Sequence, residues 1–273
     1  MTSLDPRLAE FATRVQPCLR RDAPEAFWEA EPALQALLSS GYITDALNRD
    51  LGALREDPTH FGNWRPSEWL LHRGPGYALA VARFELTRRF IHALPFYGML
   101  SPLGGASLRY RRYRLPPAYD NPVFTPGLTL VPDGEGSLAA GEIMRLHSDR
   151  YAYDFQLSEP ALVVKLSTAA IRPLEWLFSR DQLQSWQAND ADLSYTQLRV
   201  AADVLGKFAH QSSLPALKLL GEHPHHSVRW AAIQSLGRLS RSEAIAYLQQ
   251  ALQDRHPHIR RAAQKTLDQI QKK

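Results

Sequence analysis

Apolar residues recur at three- and four-residue spacing through the first 55 positions, in LAEFATRVQPCL, AFWEAEPALQALLSSG and ITDALNRDLGALRE. That is the period of amphipathic helices. Ser3 ahead of Leu4-Asp5-Pro6 and Asp22 ahead of Ala23-Pro24 are the expected helix starts, because a side-chain oxygen satisfies free amides and proline suits the first turn. Glu25, Glu29 and Glu31 read as a solvated face. From about residue 60 the period shortens to short apolar or alternating runs, among them EWLLHR, YALAVARFEL, ASLRYRRYRL, GLTLVPD, YAYDFQL and ALVVKLST. Turn signals such as RGPG, PLGG and PDGEG punctuate them, which predicts a small antiparallel barrel or sandwich. In SLRYRRY, alternation places Leu108, Tyr110 and Arg112 on one face and Arg109, Arg111 and Tyr113 on the other.

The last third returns to the helical period and repeats itself. With an offset of 31 residues Ala201, Ala232 and Ala263 coincide, as do Leu205, Leu236 and Leu267, then Phe208, Leu239 and Ile270. The shorter segments LPALKLLGE and SEAIAYLQQALQD lie between them, so each unit is a helix pair that buries its stripe by stacking on its neighbours. HSVRWAAIQSLGRL and PHIRRAAQKTLDQI resemble HEAT repeats, a resemblance that covers about residues 195–273. The first copy lacks the turn motif and is expected to be a capping half-unit against the barrel. The histidine runs HPHH (223–226) and HPH (256–258) both fall in the turn between helices, and a shared turn motif accounts for them better than metal binding. The fold class is therefore α+β: a helical segment over 1–58, an antiparallel β-barrel over 59–180 and a helical solenoid over 181–273.

Composition narrows the function classes. Of 273 residues, 44% are hydrophobic and 22% charged, the balance of a globular protein. No window reaches the roughly 18 apolar residues of a membrane span and the start lacks a signal-peptide layout, so a cytoplasmic protein without membrane contact is expected. Cys18 is the only cysteine, which excludes an intramolecular disulfide and a cysteine metal cluster. Lys and Arg balance Asp and Glu at 20 against 20 up to residue 180, so the net charge of +4 sits in the last third, with six of the ten histidines. An excess of that size is far from the dense basic stripe that argues nucleic-acid binding, and nucleic acid is not an expected partner.

The middle region also resembles the cupins, and among them the cysteine dioxygenase-type thiol dioxygenases. FIHALPFYGMLSPLGGASLRYRRYRL is similar to the first cupin motif, and GLTLVPDGEGSLAAGEIMRLHSDRYAYDFQLSEPALVVKLST to the second. In that family three histidines hold an iron that activates dioxygen. His92 matches the first histidine, but Leu94 and Met144 stand at the other two positions, with His147 three residues beyond Met144 and Lys165 where the closing strand often has a histidine. The resemblance therefore implies a barrel with altered ligand positions, with His92 and His147 as the metal candidates.

Tyr97, Tyr110 and Arg112 are the candidate lining of a pocket for a small anionic ligand, since arginine pairs oxyanions through two parallel hydrogen bonds. In the repeats, Trp230 stands where the other copies have Arg199 and Arg261, and with Arg229 and Arg260 it is the candidate contact for a protein partner. The expected function is a binding or scaffold protein without a cofactor, with a barrel for a small ligand or peptide and a repeat arm for protein interaction. The alternative is an Fe(II)-dependent oxygenase of the thiol-dioxygenase-like class acting on a small carboxylate-bearing substrate.

Overall fold

The computed structural model describes residues 4–20, 24–60, 62–65, 67–86, 89–117, 119 and 123–271. The expected helix starts at Ser3 and Asp22 lie outside the described residues. The chain divides into two compact units, residues 1–119 with 126–187, and residues 120–125 with 188–273.

The first unit begins with α1 (Pro6–Val15), α2 (Glu31–Ser39) and α3 (Tyr42–Glu56), with tight 3-10 turns at Gln16–Cys18 and Pro24–Ala30. Asp5 caps α1 by accepting the Arg7 amide at 3.0 Å, and Pro6 opens the helix where its missing N–H costs nothing. Leu8, Phe11 and Val15, three and four apart, are buried together with Phe27, Trp28, Leu34 and Leu37. Glu25 and Glu29 are exposed, but Glu31 departs from the solvated reading: its Oε2 accepts from Arg145 Nε at 2.5 Å.

Twelve strands follow among the described residues, in two six-stranded sheets. They are β1 (Trp64–Arg65), β2 (Glu68–Gly74), β3 (Tyr77–Phe84), β4 (Phe90–Ala93), β5 (Gly98–Pro102), β6 (Leu108–Arg114), β7 (Val131–Leu138), β8 (Met144–Leu146), β9 (Tyr151–Gln156), β10 (Ala161–Thr168), β11 (Leu174–Ser179) and β12 (Ser185–Asp190). The first sheet runs β1-β2-β3-β10-β5-β8 and the second β12-β11-β4-β9-β6-β7. Such crossovers, with antiparallel neighbours distant in sequence, are those of a double-wound antiparallel barrel. Strands continue to residue 190, ten beyond the expected end of the barrel, because SWQAND is mostly polar and carries little alternation to read.

Alternation assigns each face of the first sheet. Trp69, Leu79, Val81, Met99, Val164 and Leu166 point outward and share one core with the N-terminal helices. Ala82, Leu100, Val163 and Leu146 point inward and share a second core with Leu108, Tyr153 and Phe155 of the second sheet.

The second unit holds α4 (Leu193–Phe208), α5 (Leu214–Gly221), α6 (His226–Leu239), α7 (Arg241–Ala251) and α8 (Pro257–Gln271). Its interior is built on small residues, with Ala202, Ala232 and Ala263 fully buried. The exposed Ala201, which the 31-residue offset aligns with Ala232 and Ala263, is displaced by one position. Helix α4 carries one extra residue between its cap and its core, so a rigid sequence offset chooses the wrong alanine. Gly206 of α4 lies so close to α6 that a Cβ there would sit 2.6 Å from the Ser235 Cβ.

The 31-residue period survives unbroken at the turns. Asp192 accepts the Ser194 amide at 2.9 Å, His223 Nδ1 the His225 amide at 3.0 Å, and Asp254 the His256 amide at 2.7 Å. Each satisfies a free donor at a helix start. The histidine runs thus serve the inter-helix turn, as their position implies.

Candidate functional site

Across the second sheet Arg112, Tyr153, His92 and Leu177 stand directly opposite one another on β6, β9, β4 and β11. Directly paired residues share a face, and Tyr153 fixes that face as the interior of the barrel. Tyr110, opposite Phe155, lies on the same face one step along. On the facing sheet Lys165 and Met144 both stand opposite Leu100 and point inward with it.

Several polar groups of this interior are paired. His92 Nδ1 lies 2.9 Å from Glu175 Oε1 on β11, and Lys165 Nζ donates to Glu68 Oε2 at 2.9 Å. Burial alone would raise the Glu68 pKa, but the Lys165 hydrogen bond and charge outweigh it and hold the carboxyl below its ordinary range. Arg112 lies 2.9 Å from Asp133 Oδ2 and its guanidinium stacks 4.5 Å over the Tyr151 ring. Arg112 also lines a shallow open groove with Arg111, Tyr113 and Pro132. The Tyr153 hydroxyl accepts the His147 amide at 3.2 Å, and burial pushes its pKa up to about 12.

Leu94 and Met144 both pack into the apolar cluster of Leu100, Leu146, Tyr153 and Phe155. Their side chains are part of the packing that holds the two sheets together. His147 follows Leu146 but turns its ring onto Trp28, 4.7 Å between centroids, and burial lowers its pKa. Tyr97 meets the same Trp28 at 5.7 Å and belongs to the core of the N-terminal helices. The structure therefore brings Tyr110, Arg112 and His92 to one inner face, and sets Tyr97 and His147 beside Trp28. Among the described residues no group of three or more His, Cys, Asp or Glu side chains is placed to hold a metal ion. The donor set does not fit a three-histidine iron centre.

Glu175, Glu68 and Trp28 are the residues that sequence reasoning missed. Glu175 alone carried a usable signal, because it alternates with Leu174 and Trp176 and so must share the face of Leu177.

In the repeats Arg229 is 7% exposed. It forks onto Asp254 at 2.8 and 2.6 Å and donates to the carbonyls of His223 and Pro224 at 2.8 Å. Arg260, exposed, donates to the Asp254 carbonyl at 2.7 Å, the repeat-equivalent of the His223 bond. Trp230 is half-buried against the cluster of Ile233, Leu248 and Ile259. Of the three candidate partner contacts, only Arg260 presents an exposed side chain.

The same turns carry a column of rings. Tyr195 stacks on His225 at 4.0 Å, His225 meets His226 at 4.8 Å, and His226 stacks on His256 at 3.7 Å with the planes 1° apart. Burial, then the neighbouring His256 and His225, push the His226 pKa down to about 3.

Comparison with known proteins adds the following. No curated protein matches this sequence. Among solved structures, the hydroquinone 1,2-dioxygenase from Sphingomonas sp. TTNP3 with 4-hydroxybenzoate bound is 18% identical with a TM-score of 0.31, the match covering 39% of this chain and 68% of that one. A sugar phosphate isomerase of the cupin superfamily from Silicibacter pomeroyi is 14% identical with a TM-score of 0.27, covering 42% of this chain and 64% of that one. The chain thus spans about two thirds of the length of these proteins. Residues 187–268 match the family of HEAT repeats, and this stretch of the chain is a HEAT-repeat array.

Proposed function

We propose that the chain is a binding protein, in which the HEAT-repeat array engages a protein partner and the barrel serves without a three-histidine iron centre. The packing of Leu94 and Met144 into one apolar cluster with Tyr153 carries the second half of this reading. A leucine supplies no lone pair and a thioether is a poor ligand for iron(II), and His92 already has Glu175 at hydrogen-bond distance. With His92 beside Glu175 and Lys165 paired to Glu68, Arg112 is the guanidinium that this inner face offers a small anionic ligand, in competition with Asp133.

HEAT repeats support a protein partner because stacked helix pairs present a broad surface. Here the exposed positions of α8 include Arg260, Arg261 and Lys265, which favours an acidic partner surface. The test joins the two halves. Elemental analysis of protein purified without added metal is expected to show no stoichiometric iron, in wild type and in His92→Ala alike. Reversing Arg260, Arg261 and Lys265 to glutamate is expected to abolish capture of the partner that wild type retains. One iron per chain that His92→Ala removes would refute the barrel reading, and capture indifferent to the reversal would refute the docking face.

A further inference from the structure

Helix α4 is apolar on two opposite sides. Leu198, Ala202, Leu205 and Gly206 face the solenoid, where Ala202 is fully buried and Leu205 packs beside Leu217 and Leu236. At about 100° per residue, Leu193, Gln197, Val200, Ala201, Val204 and Phe208 gather on the opposite side. All six are exposed: Leu193 by 62%, Val200 by 58%, Val204 by 41% and Phe208 by 77%. A soluble helix with a solvent-facing side is ordinarily polar there. Helix α8, at the other end of the stack, obeys that rule, with Arg260, Arg261, Gln264, Lys265, Asp268 and Gln269 exposed. One end of the array is capped by charge and the other ends in an apolar stripe.

We propose that this stripe is covered by the same stripe of a second copy of the chain, in an antiparallel two-fold pairing of α4 on α4. The spacing is what selects this occupant. The six positions are symmetric about the point between Val200 and Ala201, so an antiparallel copy sets Leu193 against Phe208, Gln197 against Val204 and Val200 against Ala201. Every large apolar residue of one stripe then meets the other. The two-fold keeps like flanks together and makes the contact self-complementary. Antiparallel helices also bring each positive N-terminus near the partner's negative C-terminus. Head-to-tail stacking into an open filament is disfavoured, because the far end of the array offers the charges of α8 instead of an apolar mate. A single helix-on-helix contact falls below the roughly 1,200 Å² of a standard stable interface, so the pairing is a reversible, concentration-dependent dimer. This inference is independent of the basic α8 positions invoked above.

Two measurements on the full chain test it. In sedimentation velocity the weight-average coefficient of wild type is expected to rise with concentration toward a dimer, and Phe208→Asp and Val204→Asp to hold it at the monomer value with unchanged circular dichroism and melting. Cysteine cross-linking gives the geometry. Cys18 is buried, so Val200→Cys places one reactive thiol beside the two-fold axis and Gln264→Cys places one on the polar face of α8. Mild oxidation with diamide is expected to yield several-fold more covalent dimer from the first than from the second. A wild type that stays monomeric at all concentrations overturns the proposal, as does a dimer indifferent to both aspartate substitutions or equal cross-linking of the two cysteine variants. Each of those outcomes leaves partner capture through α8 untouched, so failure here and failure of the docking face are separately visible.

Discussion

Acidification is expected to weaken the repeat array through its histidine column, and His226 sets the scale. In the folded protein its pKa is near 3, against an ordinary value of 6.5. Between those limits the unfolded chain binds a proton at this position and the folded chain does not. Stability is therefore fully present above pH 6.5 and falls as the pH drops toward 3. His225 and His258 are lowered in the same direction, each chiefly by burial. The charges facing His226 are those of His225, His256, Asp190 and Arg229.

One pH unit of displacement corresponds to about 1.4 kcal/mol, which gives somewhat under 3 kcal/mol for His226 at pH 4.5. The ring is only half-buried and solvent screens it, so about 1–2 kcal/mol is the expected loss. A drop of that size moves the midpoint of a 60–100-residue unit by roughly 5–15 °C. Thermal melting at pH 7, 6, 5 and 4.5, followed by helical circular dichroism, reads the effect, with His226→Gln as the control that stacks without titrating. The variant is expected to lose much of the slope across this window while melting close to wild type at pH 7. Melting that is flat from pH 7 to 4.5, or an unchanged slope in His226→Gln, would refute the reasoning. Below pH 4.5 the histidine effect is no longer isolated, because Asp254, held below its ordinary range by the Arg229 hydrogen bond against the opposing effect of burial, takes up a proton in the unfolded chain first and adds its own loss of stability.

Two further predictions concern the array. Arg229→Ala removes one half of a buried ion pair and strands Asp254, at an expected cost of about 3–5 kcal/mol, while Arg260→Ala at the equivalent exposed position costs under about 1 kcal/mol; urea melts of the two variants that coincide would show that burial does not separate them. Gly206→Ala should destabilise by about 1–3 kcal/mol, since the new methyl overpacks against Ser235; a gain in melting temperature, as helix propensity alone would give, would show that α4 and α6 can move apart.

The two changes of hydrophobic period were legible because they reflect burial directly: three- and four-residue spacing where a helix covers a sheet or a neighbour, and alternation where a strand lies between core and surface. Leu94 and Met144 stand out only through the resemblance to the cupin motifs, as apolar residues where that family has histidines; the structure adds that both pack into the cluster of Leu100, Leu146, Tyr153 and Phe155. Other features depend on where separate strands meet. The partnership of His92 with Glu175 spans 83 residues, and no local pattern announces it. The sequence groups Tyr97 with Tyr110 and Arg112 as pocket lining, yet Gly98 begins a strand whose two faces serve different cores, and Tyr97 falls with the helices. The polar strand 185–190 and the extra residue of α4 were invisible for a related reason: register is set by what the chain packs against, and a repeat offset read from sequence assumes that every copy packs alike.

Arg229 binds the carbonyls of its own turn and the carboxylate of the next one. The array is for that reason a bolted assembly and not a row of interchangeable modules. An engineered version that omits the α7–α8 pair keeps every residue of α6 and still inherits a guanidinium whose counter-charge has been deleted, so shortening the array by one unit requires rewriting position 229 at the same time. Lengthening it carries the mirror condition: a unit inserted after α6 must bring its own carboxylate to the place Asp254 now holds.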